Sequence, residues 1–362
     1  MKIGILVYYL EPQSGESREA INLAIGLKRR RFDTSIYALA CEFSVRQRLQ
    51  TLGIHVVSRA EQLNSISKLK LMRYDPSLAA KLSQIVATEP PCDAYIVTQD
   101  AALPIIRKRE SGQWIFLCNG DMSLLLLSRQ FRKRAPVVGW SLSRSLVNQL
   151  ESHARLAREY DVLLANSKFT RGLMSYLYDT SFDGVVYPPV DTDAFTPRQT
   201  VPAGQEYVFA VLRRTEEPAF PFVTRLARRV PVVVVGGATV QSADNRGKVG
   251  EDEIVRLYSA ARLTVSFSHQ EFFGYSIAES LACGTPVLAL SQGGAPELIT
   301  SGVDGWLEDN PTKLIERAEK VIRDGTPDAV RAQCRTESLR FAIDESTGNL
   351  AQFLVKSTGA SK

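Results

Sequence analysis

The chain has 362 residues, 44% of them apolar and 23% charged, with a formal net charge of +5, which suits two globular domains and argues against disorder. Its apolar runs, such as residues 124–127 and 230–235, fall far short of the roughly 18 residues of a membrane-spanning helix. The five cysteines (Cys41, Cys92, Cys118, Cys283 and Cys334) are scattered without a C-x-x-C pair, which argues against a disulfide framework or a structural zinc site.

In chain order, KIGILVYYL reads as a first β-strand rather than a secretory leader, because Glu11 and a polar loop follow at once. A cytoplasmic location is expected. SREAINLAIGLKRR then carries Ala20, Leu23, Ala24 and Leu27 at helical spacing, and TSIYALA, DAYIVTQ, QWIFLCNG and DVLLANS follow as short buried strands, each succeeded by a polar or helical stretch. This alternation predicts an α/β fold with a parallel sheet covered by helices. The turn-rich YPPVDTDAFTPRQTVPAG, residues 187–204, marks a linker, and EYVFAVL, PVVVVGG, EDEIVRLYSAA, LTVSFS, SIAESLACG and PVLALS resume the pattern after it. The expected domains are therefore 1–190 and 191–336, with a terminal helix, 337–362, packing back toward the first. Two such sheets would bind ligands in a cleft at the carboxyl ends of their strands.

The charge is uneven. Residues 1–195 hold 25 Lys and Arg against 19 Asp and Glu, while the remainder holds 19 against 20. Basic clusters occur at 27–31, 107–109 and 129–134, the last directly after Leu124–Leu127. No helix-turn-helix, finger or stacking motif supports a nucleic-acid partner. The alternatives are a solvated face and a surface for anionic lipid or an anionic acceptor, the latter giving a protein peripheral on the inner face of the membrane.

Chemistry is concentrated in EFFGYSIAES, residues 271–280. Gly274 permits close backbone approach, and a helix starting after it would aim unpaired N–H groups and a positive dipole end at a phosphate. Glu279 offers a carboxylate to a ribose diol, and Glu271 stands on the other side of the glycine. SQGGAPELI supplies a second helix start, with Gly293 and Gly294 before it and Glu297 within it. Each motif taken singly also fits an ordinary strand-to-helix turn with first-turn acids.

Taken together, E-F-F-G-Y-S-I-A-E with seven residues between the glutamates, ACGTPVLAL, GGAPELI and SGVDGWL resemble the signature of the retaining nucleotide-sugar glycosyltransferases of family four. Upstream, ANSKFTRGLM, YPPVDTDAF, PVVVVGG and GKVGEDEIVRLYSAA match in order and spacing. The resemblance implies the GT-B fold, two Rossmann-like domains with parallel sheets facing a central cleft, and transfer of a hexose from a nucleotide diphosphate sugar, such as a UDP- or GDP-hexose, to a lipid, glycan or small-molecule hydroxyl. It implies no cofactor and no metal. Glu279 would bind the ribose, Glu271 with the backbone of Phe273, Gly274 and Tyr275 would hold the sugar and phosphates, Glu297 would lie beside them, and Gly15 would close the phosphate site from the first domain.

Two positions depart from the pattern. The family's arginine is matched by Arg213 or Arg214, but Pro218 stands where its lysine is expected, and where relatives place a histidine after an N-domain strand, IFLCNGD offers Asn119 and Asp121. The alternative is therefore a catalytically weakened GT-B protein that binds a nucleotide sugar or a partner glycosyltransferase. His55 and His153 read as structural and His269 as loop support; Asp191-Thr-Asp193 reads as a turn rather than a metal site. A dinucleotide oxidoreductase is excluded because YYLEPQSGES lacks G-x-G-x-x-G.

Overall fold

The apolar run Lys2–Leu10 is buried over most of its length as strand β1, as expected of a strand covered on both faces. The computed structural model describes residues 1–12, 14–63, 76–109, 111–121, 136–198, 205–213, 215, 217–269 and 271–358. The chain divides into two compact units, Met1–Pro189 with the segment from Ile343, and Val190–Ala342.

In the first unit β1 leads into α1 (Gly15–Arg29), whose Ala20, Leu23, Ala24 and Leu27 are buried. There follow β2 (Asp33–Cys41), α2 (Phe43–Thr51), β3 (His55–Ala60), α3 (Pro76–Val86) and β4 (Ala94–Val97). A 3₁₀ helix (Asp100–Lys108), β5 (Gln113–Cys118), α4 (Pro136–Ala157), β6 (Val162–Ala165), α5 (Lys168–Tyr178) and β7 (Gly184–Val185) complete it. The strands form one sheet in the order β3-β2-β1-β4-β5-β6-β7, and every pair is parallel. Strand order thus reverses between β1 and β4, the switch point at which open α/β sheets commonly bind ligands.

The second unit repeats the plan with β8 (Gln205–Val211), α6 (Phe220–Ala227), β9 (Val232–Val235), β10 (Asp244–Gly247), α7 (Glu251–Ala260) and β11 (Ala261–Ser266). After these come α8 (Tyr275–Ala282), β12 (Val287–Leu290), α9 (Ala295–Leu298), β13 (Gly305–Glu308), α10 (Pro311–Asp324) and α11 (Asp328–Ser338). Its parallel sheet runs β10-β9-β8-β11-β12-β13, reversing between β8 and β11. The last helix, α12 (Ile343–Thr358), belongs to the first unit and lies against α1. Small residues permit that contact: a Cβ on Gly26 would collide with Thr347, and one on Gly348 with the Arg30 guanidinium, which donates to the Asp344 carbonyl at 2.6 Å.

Among the described residues no helix is long and apolar enough to cross a membrane. The basic segment 124–134 singled out in the sequence lies outside the described residues.

Candidate functional site

In the second unit Arg213 follows β8, Gly236 and Gly237 follow β9, Glu271 and Gly274 follow β11, and Gly293 and Gly294 follow β12. β8 ends at Val211, and the turn that follows, Leu212–Arg213, is closed by the glycines after β9. A Cβ on Gly236 would strike the Leu212 carbonyl, and one on Gly237 would lie 2.5 Å from the Arg213 carbonyl. Gly236 also has φ of +120°, a conformation that side-chain-bearing residues rarely adopt. Arg213 is exposed, and its backbone N–H donates to Glu217 Oε1 at 2.9 Å. Arg214 lies outside the described residues.

The loop after β11 carries Glu271, partly buried. Burial raises its pKa, while the Arg213 charge and a hydrogen bond with Ser268 pull it down and Glu217 pushes it up. Arg213 and Glu271, which leave the two strands where the sheet reverses, are thus electrostatically coupled. Gly274, at φ +103°, is the N-cap of α8, and its carbonyl accepts from the N–H groups of Ile277 and Ala278 at 3.0 and 3.2 Å. The first turn of α8 therefore begins beside Glu271, whose Cγ would lie 3.0 Å from a Cβ at Gly274. Phe273 contributes its backbone to this turn while its ring is buried against Tyr275 and Phe341, each at 5.5 Å.

Three of the predicted positions make contacts within the protein. Gly294 approaches the protein's own loop: its N–H donates to the Glu271 carbonyl at 2.7 Å, and a Cβ there would lie 2.6 Å from the Phe272 carbonyl. These contacts support the Glu271–Phe273 loop. The expected second helix start, with Glu297 in it, is a single turn of four residues, so few peptide dipoles align there. It stops because the Thr300 N–H turns to Asp304 Oδ1 at 2.8 Å instead of continuing the helix. Glu279 is only 2% exposed and faces α7, where the Tyr258 hydroxyl stands 3.5 Å from Oε2. His269 braces two loops through Gln292 at 3.0 Å, and Asp191 accepts from the Ala194 N–H at 3.0 Å in a turn. A cavity of about 650 Å³ at the amino ends of β8 and β9, lined by Gln205, Tyr207, Pro231 and Arg256 among others, contains none of the predicted residues.

In the first unit Gly15 opens α1, and Asn119 follows β5. The Asn119 amide Nδ2 donates to the Thr98 carbonyl at 2.9 Å and to Glu19 Oε2. Glu19 is 1% exposed, and burial pushes its pKa up to about 8, against the lowering effect of Asn119 and with a further push from Glu16. Sequence reading missed it: Glu19 occupies a helical position beside apolar residues, and its partner lies 100 positions away. Asp121 is fully buried and accepts from the Tyr178 hydroxyl at 2.9 Å while pairing with His153 Nδ1 at 2.8 Å. Together with Asp100 these two form a group whose ligand atoms lie within 4.8 Å of one another, and the Asp121–His153 hydrogen bond accounts for their closeness.

The raised pKa of Glu19 has a thermodynamic consequence. Between an unfolded value of 4.5 and a folded value of about 8 the folded state holds a proton that the unfolded state has released. The carboxyl's stabilising contribution is therefore fully present below pH about 4.5 and is lost as pH rises to about 8, by about 1.4 kcal/mol per pH unit. Glu19→Gln removes this titration. Urea midpoints of wild type and variant should diverge with pH across that window, in favour of the variant, and parallel curves would show that the carboxyl is not held neutral.

Residues 245–338, which contain Glu271, Gly274, Glu279 and Glu297, match the family model of the glycosyl transferases group 1. The resemblance read from the sequence holds. The D-inositol 3-phosphate glycosyltransferase of Mycobacterium sp. (strain KMS) is 32% identical over 183 residues, which cover 42% of this chain and 42% of that protein. The match thus spans less than half the length of that relative, and the corresponding enzyme of Thermobifida fusca is 51% identical over 57 residues, 16% of this chain and 13% of that protein. Among solved structures, Anabaena HepE in complex with UDP and glucose superposes with a TM-score of 0.74 at 18% identity, covering 98% of this chain and 100% of that one. Sucrose-phosphate synthase from Thermosynechococcus elongatus gives 0.79 at 12% identity, covering 99% and 100%. The fold is GT-B.

Proposed function

We propose that this GT-B chain is a retaining glycosyltransferase that moves a hexose from a nucleotide diphosphate sugar to a lipid, glycan or small-molecule hydroxyl without a metal. The observation that carries the reading is the convergence of Arg213, Glu271 and the Gly274 start of α8 where the sheet of the second unit reverses. In this reading the diphosphate lies toward the α8 N-terminus, where dipole and N–H groups favour anions. Arg213 meets the charge that develops on the leaving group, the electrostatic stabilisation on which transfer from a diphosphate depends. Glu271 and the backbone of Phe273–Tyr275 hold the hexose and phosphates, Glu279 takes the ribose, and Glu297 lies beside them. Gly15 and Asn119 act from the first unit.

A thermal-shift screen against UDP, GDP, ADP and their sugars tests the reading. One nucleotide diphosphate should stabilise the wild type. Glu279→Ala should weaken that nucleotide's binding, measured by calorimetry, by about 1.5–3 kcal/mol for each hydrogen bond lost from the charged acceptor. An intact variant with wild-type affinity would remove the ribose assignment.

The basic first half further suggests that the acceptor, or the surface carrying it, is anionic, with the protein cytoplasmic and peripheral on the membrane. Each basic residue near an anionic leaflet contributes about 1 kcal/mol. Co-sedimentation with anionic vesicles at low salt should be lost when Arg129, Arg132, Lys133 and Arg134 are replaced by Gln, and binding that persists would refute the role of that segment.

A further inference from the structure

The sheet of the first unit reverses between β1 and β4, and the chain leaving those strands and β5 brings the side chains of Glu19 on α1 and Asn119 after β5 together with the carbonyl of Thr98 after β4. The Thr98 carbonyl can only accept a hydrogen bond, so the contact at 2.9 Å fixes which end of the Asn119 amide faces it. Nδ2 points to Thr98 and Glu19, and Oδ1 points elsewhere. Asn119 Oδ1, Glu19 Oε1 and Thr98 Oγ1 are all buried and have no protein partner. Buried polar atoms are nearly always satisfied, so the unpartnered Oδ1 and Oε1 of two side chains that touch each other mark a place built for a polar guest. The chemistry on offer is an amide carbonyl acceptor and a carboxyl whose only charged neighbour among the groups that shift it is Glu16. That set suits the hydroxyl groups of a carbohydrate.

We infer that Glu19 is a positioning residue: with the Thr98 carbonyl it clamps the Asn119 amide so that Oδ1 accepts a hydrogen bond from a hydroxyl of the carbohydrate substrate. This rests on the glycosyltransferase reading. Glu19 acts through Asn119 and does not itself touch reacting atoms.

A double-mutant cycle tests it, with whichever UDP- or GDP-hexose the wild type turns over as the probe and kcat and KM read separately. Asn119→Ala and Glu19→Ala should each lower kcat/KM about tenfold, mainly through KM, because uniform binding is what is lost. The double variant should be no worse than the poorer single one, since residues that act as one unit are not additive. Glu19→Gln should stay within about threefold of wild type, because its carbonyl still accepts from Nδ2. Glu19→Met replaces the carboxyl by an apolar group of similar shape and should reproduce Glu19→Ala even where the smaller side chain impairs folding. Losses that multiply in the double variant, a Glu19→Gln variant as poor as Glu19→Ala, or single variants with unchanged kinetics would overturn the inference; the last result would leave the niche to water. A wild type that turns over no nucleotide sugar would instead end the underlying reading, and this inference with it.

Discussion

Replacing Asp121 by Ala is expected to cost about 3–5 kcal/mol of folding stability, the range found when one partner of a buried ion pair is removed. Asp121 is fully buried and accepts from both His153 Nδ1 at 2.8 Å and the Tyr178 hydroxyl at 2.9 Å. Its loss leaves an imidazole and a phenol buried without that acceptor. Burial by itself would lower the His153 pKa, but the hydrogen bond to Asp121 and the charges of Asp121 and Asp100 overcome it and raise the value above 6.5. The pair therefore stabilises fully below the unfolded pKa, and its contribution is lost as pH rises through the folded one. Asp121→Asn, which keeps the acceptor and drops the charge, should lose more stability at pH 5.5 than at pH 9. Urea midpoints at the two pH values check this, and a loss independent of pH would show that His153 is neutral in the fold.

Arg213→Ala is expected to lower kcat by about 10²–10³-fold, the effect of removing one donor aimed at developing negative charge. Pro218 stands where the family resemblance places a lysine, and Arg213 is the residue whose positive charge acts on Glu271. The variant should also raise the Glu271 pKa further, because the Arg213 charge opposes the effect of burial there. Any limb of the pH–rate profile that reports Glu271 would then move to higher pH. A variant with wild-type kcat would transfer the role to other cations and remove Arg213 from the site.

Both sheets were legible because strands buried on both faces read as unbroken apolar runs, as Lys2–Leu10, Gln113–Cys118 and Val232–Val235 show. β10 was not: its sequence, DNRG, is exposed throughout and is a strand through its pairing with β9, with a register shift between Asn245 and Gly247. Helix α10 carries its own signal in the local sequence. Asn310 caps it by accepting from the N–H groups of Thr312 and Lys313, Pro311 occupies its first turn, and Leu314, Ile315, Ala318 and Val321 make its buried face. In the site, Gly274 and the two flanking glutamates stood out by residue type and spacing. Gly294 stood out equally, yet its close approach is to Glu271 and Phe272, a contact between loops that follow different strands. Glu19 and the Asp121–His153–Tyr178 cluster depend on contacts spanning 32 to 100 positions, and no local pattern encodes such partners.

Transfer of a hexose with retention of configuration can be observed directly. The purified chain should be incubated in excess EDTA with labelled UDP- and GDP-hexoses, with and without lipid and glycan acceptors, and the anomeric configuration of the product read by NMR. A retaining, metal-independent enzyme should release the nucleoside diphosphate, stimulated by one acceptor class, with the donor's anomeric configuration kept in the product. An inverted product, or a strict requirement for Mg²⁺ or Mn²⁺, would contradict it, as would donor binding without any turnover.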